Sequence, residues 1–142
     1  MHMRITRLFD GVDGRSQFSD DTLTLRAAPG NGASTSTTLA EELLTTIPVA
    51  ELRFLQLQPG WSREASPAPD ERYLIVLNGV LDIEAGDGDM RRFGPGAVLL
   101  VTDTSGEGHR ARVVGGPVLL AIAPLPSNTT AASDGNDEQD PA

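Results

Sequence analysis

The sequence predicts an all-β chain, a sandwich or barrel with at most one short helix. Three observations carry that expectation. Short apolar or alternating runs recur along most of the chain, turn signals built from Gly, Asn and Pro separate them, and only one stretch carries a helix start signal. With 142 residues, 39% of them hydrophobic, one domain can bury a core without covalent staples. Cysteine is absent, which excludes disulfides, thiolate metal sites and cysteine nucleophiles.

Taken in order, Arg4 to Phe9 is a short mixed run that suits an edge strand, and Asp10 to Arg15 is a turn segment. Thr22 to Leu25 alternates as a second strand would, and Pro29 to Ser36 is loop by composition. Thr38-Leu-Ala-Glu41 fits a helix capping box, so the one short helix is expected from Thr38 to Leu44. Leu52 to Leu57 reads as a strand closed by Pro59-Gly60, and Trp61 to Asp70 as a polar loop.

Arg72 to Ala85 is the strongest local signal. Two apolar runs meet at Asn78-Gly79, the pair favoured where a two-residue turn needs positive φ, so the arms are expected to pair with each other as a hairpin. Tyr73 to Leu77 is apolar without a break, as in a strand covered on both faces. Val80 to Glu84 alternates, with Leu81 and Ile83 on one face and Asp82 and Glu84 on a solvated one. Gly86-Asp-Gly-Asp89 reverses the chain into Met90 to Phe93, and Gly94-Pro-Gly96 turns it into Ala97 to Val101. After the loop Thr102 to Gly108, alternation in His109 to Val114 puts Arg110 and Arg112 on the wet face and His109 inward. Pro117 to Leu125 is the last strand. From Ser127 onward there is no large apolar residue, and residues 126–142 read as a disordered acidic tail.

The net charge of −9 argues against nucleic acid, which demands clustered cations. All eleven cations are Arg, so no lysine Schiff base or lysine base is available. No apolar run approaches the roughly 20 residues of a membrane span, and Met-His-Met-Arg lacks the apolar core of a signal peptide. No membrane association and a cytoplasmic location are the expectation.

Several segments resemble the cupins, small jelly-roll barrels also described as double-stranded β-helices. Gly60 and Gly79 stand at the two glycine positions of the first cupin motif, G-x5-H-x-H-x3-E-x6-G, with the spacing intact. Gly94-Pro-Gly96 and Gly106-Glu-Gly-His109 resemble the second motif. Val12-Asp-Gly-Arg-Ser-Gln-Phe18, Ala65-Ser-Pro-Ala-Pro69, Arg91-Arg-Phe-Gly-Pro-Gly96 and Asp103-Thr-Ser-Gly-Glu-Gly-His109 extend the resemblance to a group of small single-domain bacterial cupins. It implies a single cupin domain over residues 1–125, with a barrel core over about 51–125 and N-terminal strands over 4–50.

Cupins usually hold a divalent metal on two or three His and one Glu. Here the first His position is Ser66, the second is Ala68 and the Glu position is Arg72, while His109 alone retains its type. One imidazole beside a cation does not retain a metal, so no cofactor is expected. The expected pocket residues are His109, Arg72, Ser66 and Trp61. His109 lines the cavity as a hydrogen-bonding group or stands as an inert core histidine. Arg72 alternates with Leu74 and Val76 and offers paired donors to an anion, or else pairs with Glu64, Asp70 or Glu71. Ser66 supplies a hydroxyl with no base beside it in sequence, and Trp61 covers the barrel mouth or packs.

These features imply a non-catalytic or weakly catalytic protein binding a small acidic organic molecule in its barrel. Homodimerisation is implied by the family habit of packing N-terminal strands on a partner barrel. Two alternatives stand beside it: a metal-dependent isomerase or dioxygenase with ligands from Glu64, Asp70 or Glu71, and an interaction module with a filled barrel.

Overall fold

The computed structural model describes residues 1–27 and 42–127. Among them are twelve strands and no helix: β1 (His2–Asp10), β2 (Ser16–Thr24), β3 (Arg26–Ala27), β4 (Leu43–Leu44), β5 (Arg53–Leu57), β6 (Ser62–Ser66), β7 (Arg72–Asn78), β8 (Leu81–Glu84), β9 (Met90–Phe93), β10 (Val98–Val101), β11 (His109–Val113) and β12 (Val118–Pro124). The expected helix falls partly on residues 38–41, outside the described residues, and its last two residues form β4. The expected tail likewise lies outside them from residue 128 on.

Two sheets make the jelly-roll barrel. One has six strands in the order β2-β1-β10-β7-β12-β5, the other four in the order β6-β11-β8-β9, and β3 pairs with β4 apart from both. From β5 to β8 successive strands alternate between the sheets, and after the β8–β9 hairpin they alternate again from β10 to β12. Each crossing turns the chain over the core, and the two inner faces bury one another's apolar side chains. Leu8, Val76, Leu99, Leu120 and Ile122 of the six-stranded sheet meet Leu81, Ile83, Phe93 and Val113 of the other. Val76, Leu8 and Leu99 are fully buried, each stabilising the fold by about 1.5–3 kcal/mol through lost apolar surface.

The Asn78-Gly79 turn differs from its expectation. Gly79 has the positive φ, +85°, that the pair forecasts, yet the arms do not pair. β7 lies between β10 and β12, whereas β8 lies between β11 and β9. The turn is a crossing from one sheet to the other, with Gly79 pressed against the backbone of Pro117 and Val118, where a Cβ has no room. Each arm finds partners on both sides elsewhere, which outweighs the local preference for a hairpin. A hairpin between paired strands does follow at Ala85 to Asp89, closed by the Ala85 N–H to the Asp89 carbonyl at 2.9 Å.

Three further differences follow from pairing that no local pattern reveals. β1 is one strand in from the edge, held parallel to β10 and antiparallel to β2. The expected loop after Trp61 contains β6, the outer partner of β11. β7 is covered less completely than its unbroken apolar run suggests, Leu77 being exposed, while β8 is almost wholly buried.

Asp82 is the clearest surprise on β8. It is 3% exposed and lies opposite Arg92 of β9 and Arg112 of β11 in the sheet register. Arg92 donates through Nε and Nη2 to its two carboxylate oxygens at 2.8 and 3.1 Å, and Arg112 Nη2 lies 3.4 Å away. Alternation alone predicts a solvated aspartate; two arginine stems fold over it instead.

Candidate functional site

The barrel interior contains a cavity of about 110 Å³ walled mainly by Leu55, Leu57, Leu74, Leu81, Ile83, Val101, Leu120 and Ile122. Its polar or amphipathic side chains are Trp61, Arg63, Arg72 and His109. Three of the four expected pocket residues therefore line one cavity. Ser66 does not, although it lies opposite His109 in the β6–β11 register; its hydroxyl accepts from Arg63 Nε at 2.7 Å.

Arg72 opens β7 and, as its alternation with Leu74 and Val76 forecasts, sits on the inner face. The pairing with Asp70 is present, and one donor remains beside it. Nε donates to Asp70 Oδ1 at 2.7 Å, and Nη2 is buried without an acceptor. A buried charged donor with no partner is costly, so this nitrogen calls for an anion or other acceptor.

Arg63 is a site residue that the sequence reading misses. It sits on β6, half-buried at the cavity wall, with Nη2 donating to the Pro67 carbonyl at 3.2 Å in addition to the Ser66 bond. Both acceptors are neutral, and among the described residues Arg63 forms no ion pair. The alternation Ser62-Arg63-Glu64 is its signal, hidden because the prolines that follow read as loop.

His109 opens β11 and is buried. Its Nδ1 lies 2.6 Å from Oδ2 of Asp103, a carboxylate with no exposure whose Oδ1 finds no donor among the described residues. Asp103 is the second missed residue. It stands six positions before His109 in the Asp103-to-His109 segment, but only the fold of the intervening glycine loop turns that spacing into contact. Gly108 makes the loop possible: its φ is +74°, and a Cβ there would collide with the Ser66 carbonyl and Pro67 nitrogen. Ser16 Oγ completes the support by donating to the Gly108 carbonyl at 2.8 Å and accepting from the Gly86 N–H at 2.7 Å.

The donor set does not fit a divalent metal. Ser66 is turned to Arg63, Ala68 has no donor, and Arg72 brings a positive charge. Glu64 pairs with Arg110 and Asp70 with Arg72, and among the described residues no three His, Asp or Glu side chains gather as ligands. What the arrangement offers is two guanidinium groups, one imidazole held by a carboxylate, and apolar walls. That combination suits an organic anion.

The fold is thus a jelly-roll barrel whose mainly apolar cavity carries two arginines and one histidine. Solved structures similar to this chain include a cupin superfamily protein from Desulfitobacterium hafniense, 18% identical, covering 73% of this chain and 100% of that one with a TM-score of 0.44. Another is a putative ethanolamine utilization protein from Salmonella typhimurium, 13% identical over 90% of this chain and 99% of that one, TM-score 0.38. A third, from Rhizobium leguminosarum and of unknown function, is 22% identical over 54% of this chain and 69% of that one, TM-score 0.47. No family model and no curated protein sequence matches the chain.

Proposed function

We propose that this chain is a small-molecule binding protein that takes an organic carboxylate into its barrel, non-catalytically or with weak catalysis. One observation carries the reading: two guanidinium groups, Arg63 with no ion pair among the described residues and Arg72 with an unpartnered buried donor, line a cavity that is otherwise apolar. In a chain of net charge −9, these cations have a local use. The carboxylate meets the guanidinium groups, and an apolar tail lies among Leu57, Leu81, Ile83, Leu120 and Ile122. At roughly 30 Å³ per water in the liquid, about 110 Å³ is the space of roughly four waters, somewhat below the about 150 Å³ that holds a benzene, which is the scale of a short-chain acid.

The protein is proposed to act in the cytoplasm as a homodimer. No helix among the described residues is long and apolar enough to cross a membrane. Phe54 and Leu77 are exposed, and strand alternation places them on the outer face of the six-stranded sheet, where they support the second part.

Thermal-shift titrations with isovalerate test the binding reading. Wild type is expected to be stabilised, and Arg72→Leu to weaken the acid about tenfold or more, since a hydrogen bond to a charged group contributes about 1.5–3 kcal/mol. Equal responses in the two proteins exclude Arg72 from binding, and no response in wild type sinks the carboxylate reading.

A further inference from the structure

We infer that the acid this site selects is an α-hydroxy acid, and that the Asp103–His109 pair does the selecting. The inference rests on the carboxylate reading above and adds the second functional group of the ligand.

The argument begins with Asp103. Its carboxylate is fully buried, and its one side-chain hydrogen bond among the described residues is to His109 Nδ1 at 2.6 Å. A carboxylate has only acceptor oxygens, so the proton of that bond sits on Nδ1. A neutral imidazole carries one N–H, and this one is committed to Asp103. Nε2, the nitrogen without a partner among the described residues, is then a lone pair on a side chain that lines the cavity.

The remaining polar lining works in the opposite sense. Arg63 and Arg72 have donors only, and Trp61 has a single indole donor. A ligand that satisfies the whole set brings acceptors for the guanidinium groups and one donor for Nε2. A simple carboxylate has the first without the second. An α-keto acid places another acceptor where the donor belongs. An α-hydroxy acid has both: its carboxylate accepts from arginine, and its hydroxyl, one carbon away, donates to Nε2. An Nε2 that the bound ligand screens from water and leaves unpaired costs more than an ordinary hydrogen bond gains, and that asymmetry makes the single nitrogen discriminating. Asp103 touches no ligand in this scheme. It is a positioning residue that fixes which imidazole nitrogen holds the proton.

Three acids of nearly equal shape form the test: isovalerate, α-ketoisovalerate and α-hydroxyisovalerate, titrated into wild type and Asp103→Asn by calorimetry. Wild type is expected to bind the hydroxy acid about tenfold more tightly than the other two. The side-chain amide introduced by Asp103→Asn both donates and accepts, so it no longer fixes the tautomer, and the preference among the acids is expected to fall towards parity. The chain has two histidines, so a long-range proton–nitrogen correlation spectrum of labelled wild type resolves the imidazoles directly, with His109 expected to carry its proton on Nδ1. A proton found on Nε2 overturns the inference without any variant. So does equal affinity for the three acids in wild type, an outcome that leaves carboxylate binding standing. A preference that survives intact in Asp103→Asn overturns the role of Asp103. Failure of all three acids to bind wild type removes the carboxylate reading itself.

Discussion

Asp82 shows how one residue's neighbours change its chemistry. Its carboxyl is held below the ordinary value of 3.8, chiefly by the hydrogen bonds from Arg92, with burial opposing and the charges of Arg92 and Arg112 assisting. A carboxyl whose folded pKa is depressed contributes stability that is fully present above the unfolded value and is lost as pH falls through the folded one. The melting temperature of wild type is therefore expected to fall as pH drops below about 4, and Asp82→Asn to lower the melting temperature at neutral pH while flattening that acid limb. An unchanged pH profile in the variant excludes Asp82 as a contributor. Nothing local betrays this aspartate, because alternation alone assigns it to a wet face; the two arginines arrive from β9 and β11. His109 and Arg72 were legible because period-two alternation and a glycine-anchored motif both fix their side of the strand. Arg63 and Asp103 were not, since one sits in a proline-bordered stretch and the other needs the loop's fold.

At the level of the element, Asn78-Gly79 separates what a turn signal encodes from what it does not. It encodes a backbone conformation, and Gly79 has it. It does not encode the partner of either arm, and those of β7 lie 23 to 29 and 41 to 52 residues further along the sequence. The crossing adds a steric demand that a free hairpin lacks. Gly14 and Gly79 share positive φ values of 83° and 85°, but a Cβ at Gly14 meets nothing within 4 Å, whereas at Gly79 it meets the backbone of Pro117 and Val118. Gly14→Ala is expected to cost about 1–2 kcal/mol, from the left-handed conformation alone. Gly79→Ala is expected to cost about 1–3 kcal/mol more for overpacking. Chemical denaturation of the two variants checks the difference, and equal losses exclude the close approach as a constraint. β6 was hidden in the sequence, because its short alternation runs into prolines that read as loop and its partner β11 lies far along the chain.

For the whole molecule, the barrel class was legible because turn signals and short apolar runs repeat at strand spacing whatever the pairing turns out to be. The order of strands within the sheets was not, being a property of the closed barrel. The outer face of the six-stranded sheet carries Phe54 at 66% and Leu77 at 42% exposure, apolar surface that a second copy would cover. Sedimentation of wild type is expected to give a dimer, and Phe54→Asp a monomer that keeps the isovalerate response. A monomeric wild type rules the homodimer out.

The packing of Gly108 onto Ser66 and Pro67 joins the two halves of the polar site. Ser66 and Pro67 hold Arg63, and Gly108 precedes His109, so the cation and the imidazole are set against one another through backbone. A change of side chain in the apolar walls leaves this backbone contact in place, whereas any side chain at Gly108 displaces the segment that holds Arg63 and the start of β11 together.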